Sequence, residues 1–502
     1  MRPNPPRWPL LDFVDLPSTP HRCQNLVGGR FVNASGKTLE VRSPYTAQVI
    51  GTVAMSTPAD IDETMRAAAR AFPEWRATPL KERTRVLFRL RDLLVAHVDE
   101  LANLVASESG KTRDEAKAGI MRGVEVVEFA SSLQNADTGG ALEVSRGVSC
   151  EYQREPLGVV AGITPFNFPA MVPLWMFPIA LTVGNAFVLK PSEKVPLTAC
   201  RMAELINEAG YPPGVFSLVH GDRTTVESLL VHPDLAAVAF VGSSAAAKAV
   251  YTRATGAGKR ALCLGGAKNV LIVAPDADEA LTTKAVVDSF TGCAGQRCMA
   301  GSVLVTVGDA SDIIAKIAGA ASRIRLGAGM GALIDRAAKE RLVGAIAKAE
   351  ADGAKLVADG RTADAPTGCE NGHWLAPTVI DQARPDMECA TAELFGPLLT
   401  AIRVRTLDEA MAIERQGRYG NALSIFTQSG AVAEWVVERA SSGMIGVNVG
   451  VPVPRDPFSF GGTKDSKFGH GDITGPAAVE FWSNLKKVTT KWAMQKDASW
   501  MS

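Results

Sequence analysis

The segment best equipped for covalent chemistry is Gly295-Gln296-Arg297-Cys298. A thiolate attacks an electrophilic carbon at neutral pH, where a serine hydroxyl needs a partner base. A free cysteine is also commonly no more than a small buried apolar residue. Here Gly292 and Gly295 precede it in a short loop before a strand-like run, and the adjoining Arg297 is expected to lower the thiol pKa. A second segment, Thr164-Pro165-Phe166-Asn167-Phe168-Pro169, directly follows a strand-like run. Loops at the carboxyl ends of parallel strands are where such sheets bind ligands. Asn167 can donate its side-chain amide to a developing oxyanion, an interaction worth roughly 3 kcal/mol in a transition state, or it can simply shape a turn between prolines.

Two further segments suit a nucleotide. In Lys190-Pro191-Ser192-Glu193 the amine and carboxylate can hydrogen-bond the two hydroxyls of a ribose, although the same pair also suits an ordinary solvated loop. In Phe240-Val241-Gly242-Ser243-Ser244 a strand runs into a helix, whose glycine-bearing N-terminus lets backbone N–H groups approach a pyrophosphate. The full G-x-G-x-x-G fingerprint is absent, so that Gly-Ser pair is weak evidence alone.

The elements that must position these segments are legible from periodicity. Apolar runs at Val159–Ile163, 186–189, 215–219 and 238–241 alternate with helix-like stretches. A second alternating series starts near Ala261, with runs at 270–273, 303–307, Leu398–Val404, 423–426 and Met444–Val447. Such repetition predicts two doubly wound α/β units in tandem, the first of Rossmann type. Short strands joined by turns are expected over 25–53, then a helix capped by Thr57 and Asp60 that carries Ile61, Met65, Ala68 and Phe72 on one face. The next helix places Leu87, Leu90, Leu94, Val98, Leu101 and Val105 in one stripe, with His97 beside it, and Gly110 is its expected stop. Residues 142–153 and 487–492 read as strands outside either core, free to pair as an arm for oligomerisation.

Bulk properties exclude other classes. The 502 residues carry 53 basic and 53 acidic side chains, with no basic run interleaved with aromatics, so neither nucleic acid nor an anionic membrane is an expected partner. Eight cysteines without a C-x-x-C pair, and six histidines without metal-ligand spacing, predict reduced thiols and no metal. The N-terminus is broken by Pro3, Pro5, Pro6, Pro9, Pro17 and Pro20, and Asp12 and Asp15 interrupt its apolar patch, so no signal peptide is read and a cytoplasmic location is expected. Between Glu155 and Lys190 no charge occurs, yet Pro165, Pro169, Pro173 and Pro178 favour strand, loop and buried helix over a membrane span.

Taken in chain order, these four segments and Glu393-Leu394-Phe395-Gly396-Pro397 resemble the aldehyde dehydrogenase superfamily from about Asn25 to Trp492. The resemblance implies Cys298 as nucleophile, with Asn167 and the Cys298 backbone N–H as oxyanion hole. It implies NAD as cofactor, with Lys190 and Glu193 on the adenosine ribose, Gly242 and Ser243 near the pyrophosphate, and Thr164, Phe166 and Gly265 along the cleft. Glu393 and Phe395 would lie near the nicotinamide. Glu193 favours NAD over NADP, an inference that the neighbouring Lys194 weakens. The implied layout is an NAD-binding domain (1–141 and 154–262), a catalytic domain (263–460), and an arm (142–153 and 478–495) that assembles a dimer or tetramer.

One departure bears on the subclass. Hydrolytic members carry a glutamate in an E-L-G-G-K motif, and the matching stretch here is Leu264-Gly265-Gly266-Ala267-Lys268-Asn269. Leucine takes no proton, so water attack on an acyl-enzyme should be slow and a thiol such as coenzyme A is the natural acceptor. Gly266-Ala267-Lys268-Asn269, Met299-Ala300 after Cys298, Glu370-Asn371-Gly372 and Pro452-Val453-Pro454 resemble the CoA-acylating methylmalonate-semialdehyde dehydrogenase branch. That branch implies a substrate carboxylate held by Arg297 and by Arg122, which otherwise reads as a surface helix charge. Leu264 and Gly450 depart from the branch, which has a polar residue and a proline there, and Gly450 is expected to reshape the pocket mouth. The rival readings are a hydrolytic dehydrogenase in which Glu393 or another group replaces the missing base, and a non-catalytic binding protein on the same fold.

Overall fold

The structure, a computed structural model, describes residues 14–136, 139–309 and 311–492. The prolines before residue 10, Asp12 and the last three residues of the expected arm lie outside the described residues.

Two mainly parallel sheets dominate. The first has eight strands in the order Lys467–Phe468, Arg260–Leu264, Leu235–Val241, Val159–Ile163, Ala186–Lys190, Phe216–Leu218, Asn25–Val27 and Arg30–Val32. The second has seven, in the order Lys355–Ala358, Thr378–Asp381, Leu398–Val404, Gly301–Val307, Asn269–Val273, Ala422–Phe426 and Met444–Val447. The inner strands are buried along their whole length, as continuous apolar runs covered by helices require. The uncharged stretch after Glu155 is the Val159–Ile163 strand, a loop, and the Met171–Thr182 helix, every residue of which is buried. Among the described residues no helix is long and apolar enough to cross a membrane.

Two sequence expectations need correction. Arg260–Leu264 pairs in parallel with Leu235–Val241, so the first sheet extends through Leu264 and the second series begins at Asn269 rather than near Ala261. The expected boundary at 262/263 therefore falls inside a strand, and Lys467–Phe468 returns to the first sheet from the far end of the chain. Periodicity finds a strand but not the sheet it joins. The Leu87-to-Val105 stripe spans two helices, Leu80–Ala96 and Val98–Ser109, broken at His97. His97 adopts φ −102° and ψ 16°, and its Nδ1 lies 2.7 Å from Glu100. The buried stripe runs straight through the break, which is why the apolar pattern conceals it. Gly110, at φ 79°, ends the second helix, and Thr57 and Asp60 form the expected reciprocal cap.

The expected peripheral segments do pair, but residues 142–153, expected as one strand, are divided between two strands of a hairpin. Gly139–Ser145, Val148–Pro156 and Ser483–Lys491 form a separate antiparallel sheet that leaves Leu142, Val144, Tyr152 and Leu485 exposed.

Candidate active site

Cys298 lies between the Glu279–Thr291 helix and the Gly301–Val307 strand. Three consecutive left-handed residues, Cys293 (φ 56°), Ala294 (φ 52°) and Gly295 (φ 66°), turn the chain there. Such conformations are disfavoured for non-glycine residues and persist where neighbours hold them. Glu115 accepts a 2.5 Å hydrogen bond from the Cys293 N–H. Gly295 meets the backbone of Glu393–Pro397, where an added Cβ would lie 2.0 Å from the Gly396 carbonyl oxygen. Two buried asparagines fix the sulfur-bearing residue: Asn269 and Asn421 donate side-chain amides to the Cys298 carbonyl at 2.7 and 2.8 Å. Asn269 also donates to the Ala300 carbonyl at 2.9 Å and accepts from the Ala422 N–H at 3.0 Å. The loop is thereby tied to the ends of two strands of the second sheet.

The Thr164–Pro169 loop approaches from the first sheet. Asn167 is 6% exposed and donates to the Gln296 carbonyl at 2.9 Å, which aims its amide at the cysteine loop. One of its two N–H groups makes that bond, and the other is available to an oxyanion. Phe166 packs edge-on against Phe395 at 5.8 Å, joining the loop to the Glu393–Pro397 turn. Thr164 is buried and its hydroxyl has no protein partner, an orphaned polar atom of the kind a bound ligand satisfies.

The remaining nucleotide candidates line the same side. Lys190 Nζ sits 3.5 Å from Glu193, while Lys194 pairs with Asp335 at 2.6 Å and hangs 5.6 Å over the Phe166 ring. Ser243 caps the Ser244–Gly256 helix next to Gly242. Gly265 and Gly266 form a tight cradle: a Cβ on Gly265 would meet Ser244 Oγ at 2.6 Å, and one on Gly266 would meet Glu393 at 2.1 Å. Glu393 accepts from the Ala267 N–H at 2.8 Å, and burial holds its carboxyl above the usual range.

A cavity of about 310 Å³ brings Cys298 together with Arg122, Arg297, Phe168, Met171 and Trp175. Arg122, on the Arg113–Ser132 helix, pairs with Glu125 at 3.1 Å. Arg297 donates Nη2 to the Asp288 and Ser289 carbonyls at the end of the preceding helix, and its buried Nε has no partner. The expected depression of the thiol pKa is overturned. Burial first, then the negative field of Glu393, pushes Cys298 up to about 12, against the smaller opposing pulls of its own backbone N–H, Arg297 and Lys111. The guanidinium, engaged with helix carbonyls, does not offset desolvation.

Four supporting residues escaped sequence reasoning: Asn269 and Asn421, which hold the Cys298 carbonyl; Glu115, which holds Cys293; and Lys111. The Lys111 ammonium is buried without a hydrogen-bond partner, 3.9 Å from the centre of the Phe168 ring. Asn269 and Asn421 stand directly before apolar strand runs and Glu115 closes a Thr112-x-x-Glu115 helix cap, signals that do not name a distant partner; Lys111 sits in the charged run before that cap. The expectation for Gly450 is also revised. A Cβ there would lie 2.3 Å from the Ala285 carbonyl oxygen, so this glycine serves a close backbone approach, and its successors Val451 and Val453 face the cavity.

Residues 31–488 match the aldehyde dehydrogenase family. A malonate-semialdehyde dehydrogenase of Geobacillus kaustophilus is 43% identical over 478 residues, covering 93% of this chain and 98% of that protein. The mitochondrial acylating methylmalonate-semialdehyde dehydrogenase of Arabidopsis thaliana is 43% identical over 484 residues, 95% of this chain and 80% of that protein. The NAD complex of a Sinorhizobium meliloti protein assigned as a methylmalonate-semialdehyde dehydrogenase superposes with a TM-score of 0.93 at 40% identity, covering 96% of this chain and 100% of that one.

Proposed function

The chain belongs to the aldehyde dehydrogenase family, and on that premise we propose that it oxidises a short carboxylated semialdehyde with NAD and passes the acyl group to coenzyme A. Methylmalonate or malonate semialdehyde, the substrates in the names of its relatives, one of them acylating, would yield propionyl-CoA or acetyl-CoA with loss of CO₂. The observation that carries the acyl-transfer reading is Leu264. It ends the Arg260–Leu264 strand at 3% exposure, and Cys298 packs against the same apolar cluster. An aliphatic side chain stands where a hydrolytic relative needs a proton acceptor.

In this reading the Cys298 thiol gives its proton to water and adds as the thiolate to the aldehyde carbon, and the oxyanion is held by Asn167 and the Cys298 N–H. When bound, NAD supplies the hydride acceptor that converts the adduct to a thioester. Residues suited to NAD are Lys190 and Glu193 for a ribose, Gly242 and Ser243 at a helix N-terminus for the pyrophosphate, and the unpartnered Thr164 hydroxyl along the cleft. Phe166, Gly265, Glu393 and Phe395 would complete the walls of that cleft. Gly265 and Gly266 let Ser244 and Glu393 pack against the backbone there, where a side chain would clash with both. Arg122 and the unpartnered Nε of Arg297 suit the substrate carboxylate. That carboxylate is β to the thioester carbonyl, so loss of CO₂ leaves an enolate oxygen, which the same donors stabilise before it takes up a proton. The CoA thiol then attacks the thioester, the acyl group moves to its sulfur, and the Cys298 thiolate leaves and is reprotonated. Glu393, the rival base, accepts from the Ala267 N–H instead. The exposed apolar residues of the three-stranded arm support assembly as a dimer or tetramer, and the cytoplasm is the proposed location.

A panel of semialdehydes assayed with and without CoA tests the proposal. Carboxylated three- and four-carbon aldehydes should turn over only when CoA is present; equal turnover without CoA rejects acyl transfer.

A further inference from the structure

Away from that site, a cavity of about 850 Å³ is lined by Cys23 and Cys200 together with Leu197, Arg201, Glu204 and Ser107. Cys23 ends the His21–Cys23 strand, and Cys200 lies in the Pro196–Ala209 helix that packs on it. The two thiols share one small apolar cluster with Leu197, Val41 and Val53. His220, itself buried, completes the group: its Nε2 is 3.3 Å from Cys200 Sγ and 3.2 Å from the Gln24 carbonyl oxygen. A carbonyl only accepts, so Nε2 carries the hydrogen and meets the sulfur as a donor. The other ring nitrogen, Nδ1, is buried without a hydrogen-bond partner.

These contacts divide the labour between the sulfurs. A hydrogen bond from the Cys23 thiol, assisted by His220, holds Cys200 below the usual thiol range against the opposing effect of burial. The same hydrogen bond and burial push Cys23 up. Glu108, fully buried beside them, accepts from the Leu197 and Thr198 N–H groups, and burial lifts its carboxyl to about 8. Near neutral pH it is therefore largely protonated and opposes the thiolate weakly. Two thiols in one cluster, an imidazole against one of them and an open cavity are what a hydroperoxide needs to oxidise a dithiol.

We propose that Cys200 and Cys23 form a second reactive-cysteine site, converted by hydroperoxides to an intramolecular disulfide independently of Cys298. The Cys200 sulfur attacks the distal peroxide oxygen, the O–O bond breaks, and a sulfenic acid forms with release of water or an alcohol. The Cys23 sulfur then displaces that oxygen, the S–S bond forms, and water leaves. In total, two thiol hydrogens and two electrons pass to the peroxide.

The test is peptide mapping of the full-length Cys298→Ser protein after hydrogen peroxide, without reductant. The expected result is one linked Cys23–Cys200 peptide pair that a dithiol reductant separates. Cys23→Ser should stop at a Cys200 sulfenic acid trapped by dimedone, and His220→Ala should slow that trapping several-fold, with circular dichroism verifying both folds. The proposal is overturned if Cys23 and Cys200 stay free thiols in the Cys298→Ser protein, or if Cys200 oxidises no faster than buried Cys263 and Cys389.

Discussion

Cys298 and Cys200 each line a cavity, yet their surroundings pull the two thiols in opposite directions. Around Cys298 the polar partners act on its backbone: Asn269 and Asn421 grip its carbonyl while the sulfur is left in an apolar setting under the field of Glu393. Around Cys200 the partners act on the sulfur itself, through an imidazole N–H and a neighbouring thiol. The thiol proposed for acyl chemistry is thus the one that burial holds above the usual range. What distinguishes it is position: an amide aimed at the loop from Asn167 and two arginines in the same cavity. Thiol acidity and placement beside an amide and two arginines are separate properties, found here at different cysteines.

The largest effect should separate the two outright. Cys298→Ala is expected to lower kcat by roughly 10⁴-fold or more, while Cys200→Ser stays within about twofold of the parent rate, both read as NADH absorbance. Next, Asn167→Ala should lower kcat by roughly 10²–10³-fold with little change in KM, as loss of one oxyanion donor does; a KM effect alone would reduce Asn167 to a shaping role. Arg122→Ala should raise KM for a carboxylated semialdehyde roughly 10–100-fold, the scale of one charged hydrogen bond, and leave propanal unaffected. The smallest effect concerns titration. Glu393 raises the Cys298 pKa, so Glu393→Gln removes a negative charge, lowers that pKa and increases the thiolate fraction at any pH below it. Iodoacetamide should then label Cys298 several-fold faster at pH 8, with labelling of Cys200 unchanged. In the parent protein, Cys298 labelling should keep rising beyond pH 9, because its thiol titrates only near 12.

Much of this arrangement is legible in residue order. The strand runs at Val159–Ile163, Leu398–Val404 and Met444–Val447 have the bounds their apolar patterns predict, and the cavity unites Arg122, Arg297 and Cys298 across a long sequence separation. What stayed hidden depends on three-dimensional partners. Periodicity registers which face is buried, so it passes over the break at His97, where the buried face is continuous. It also cannot say that Arg260–Leu264 joins the strand before it rather than the strand after it. Asn421 and Glu115 carry no motif that names their partners, which lie more than a hundred residues away. Arg297 was visible as a charge, but its engagement with the Asp288 and Ser289 carbonyls was not.

The central claim is that Leu264 leaves the acyl-enzyme without a base for water. Stopped-flow mixing of enzyme, NAD and malonate semialdehyde without CoA, followed by intact-mass analysis, tests it directly. The account predicts a burst of about one NADH per chain, then a stall, with the acyl group found on Cys298 until added CoA removes it. Continuous NADH release without CoA, and an unmodified Cys298, would contradict it.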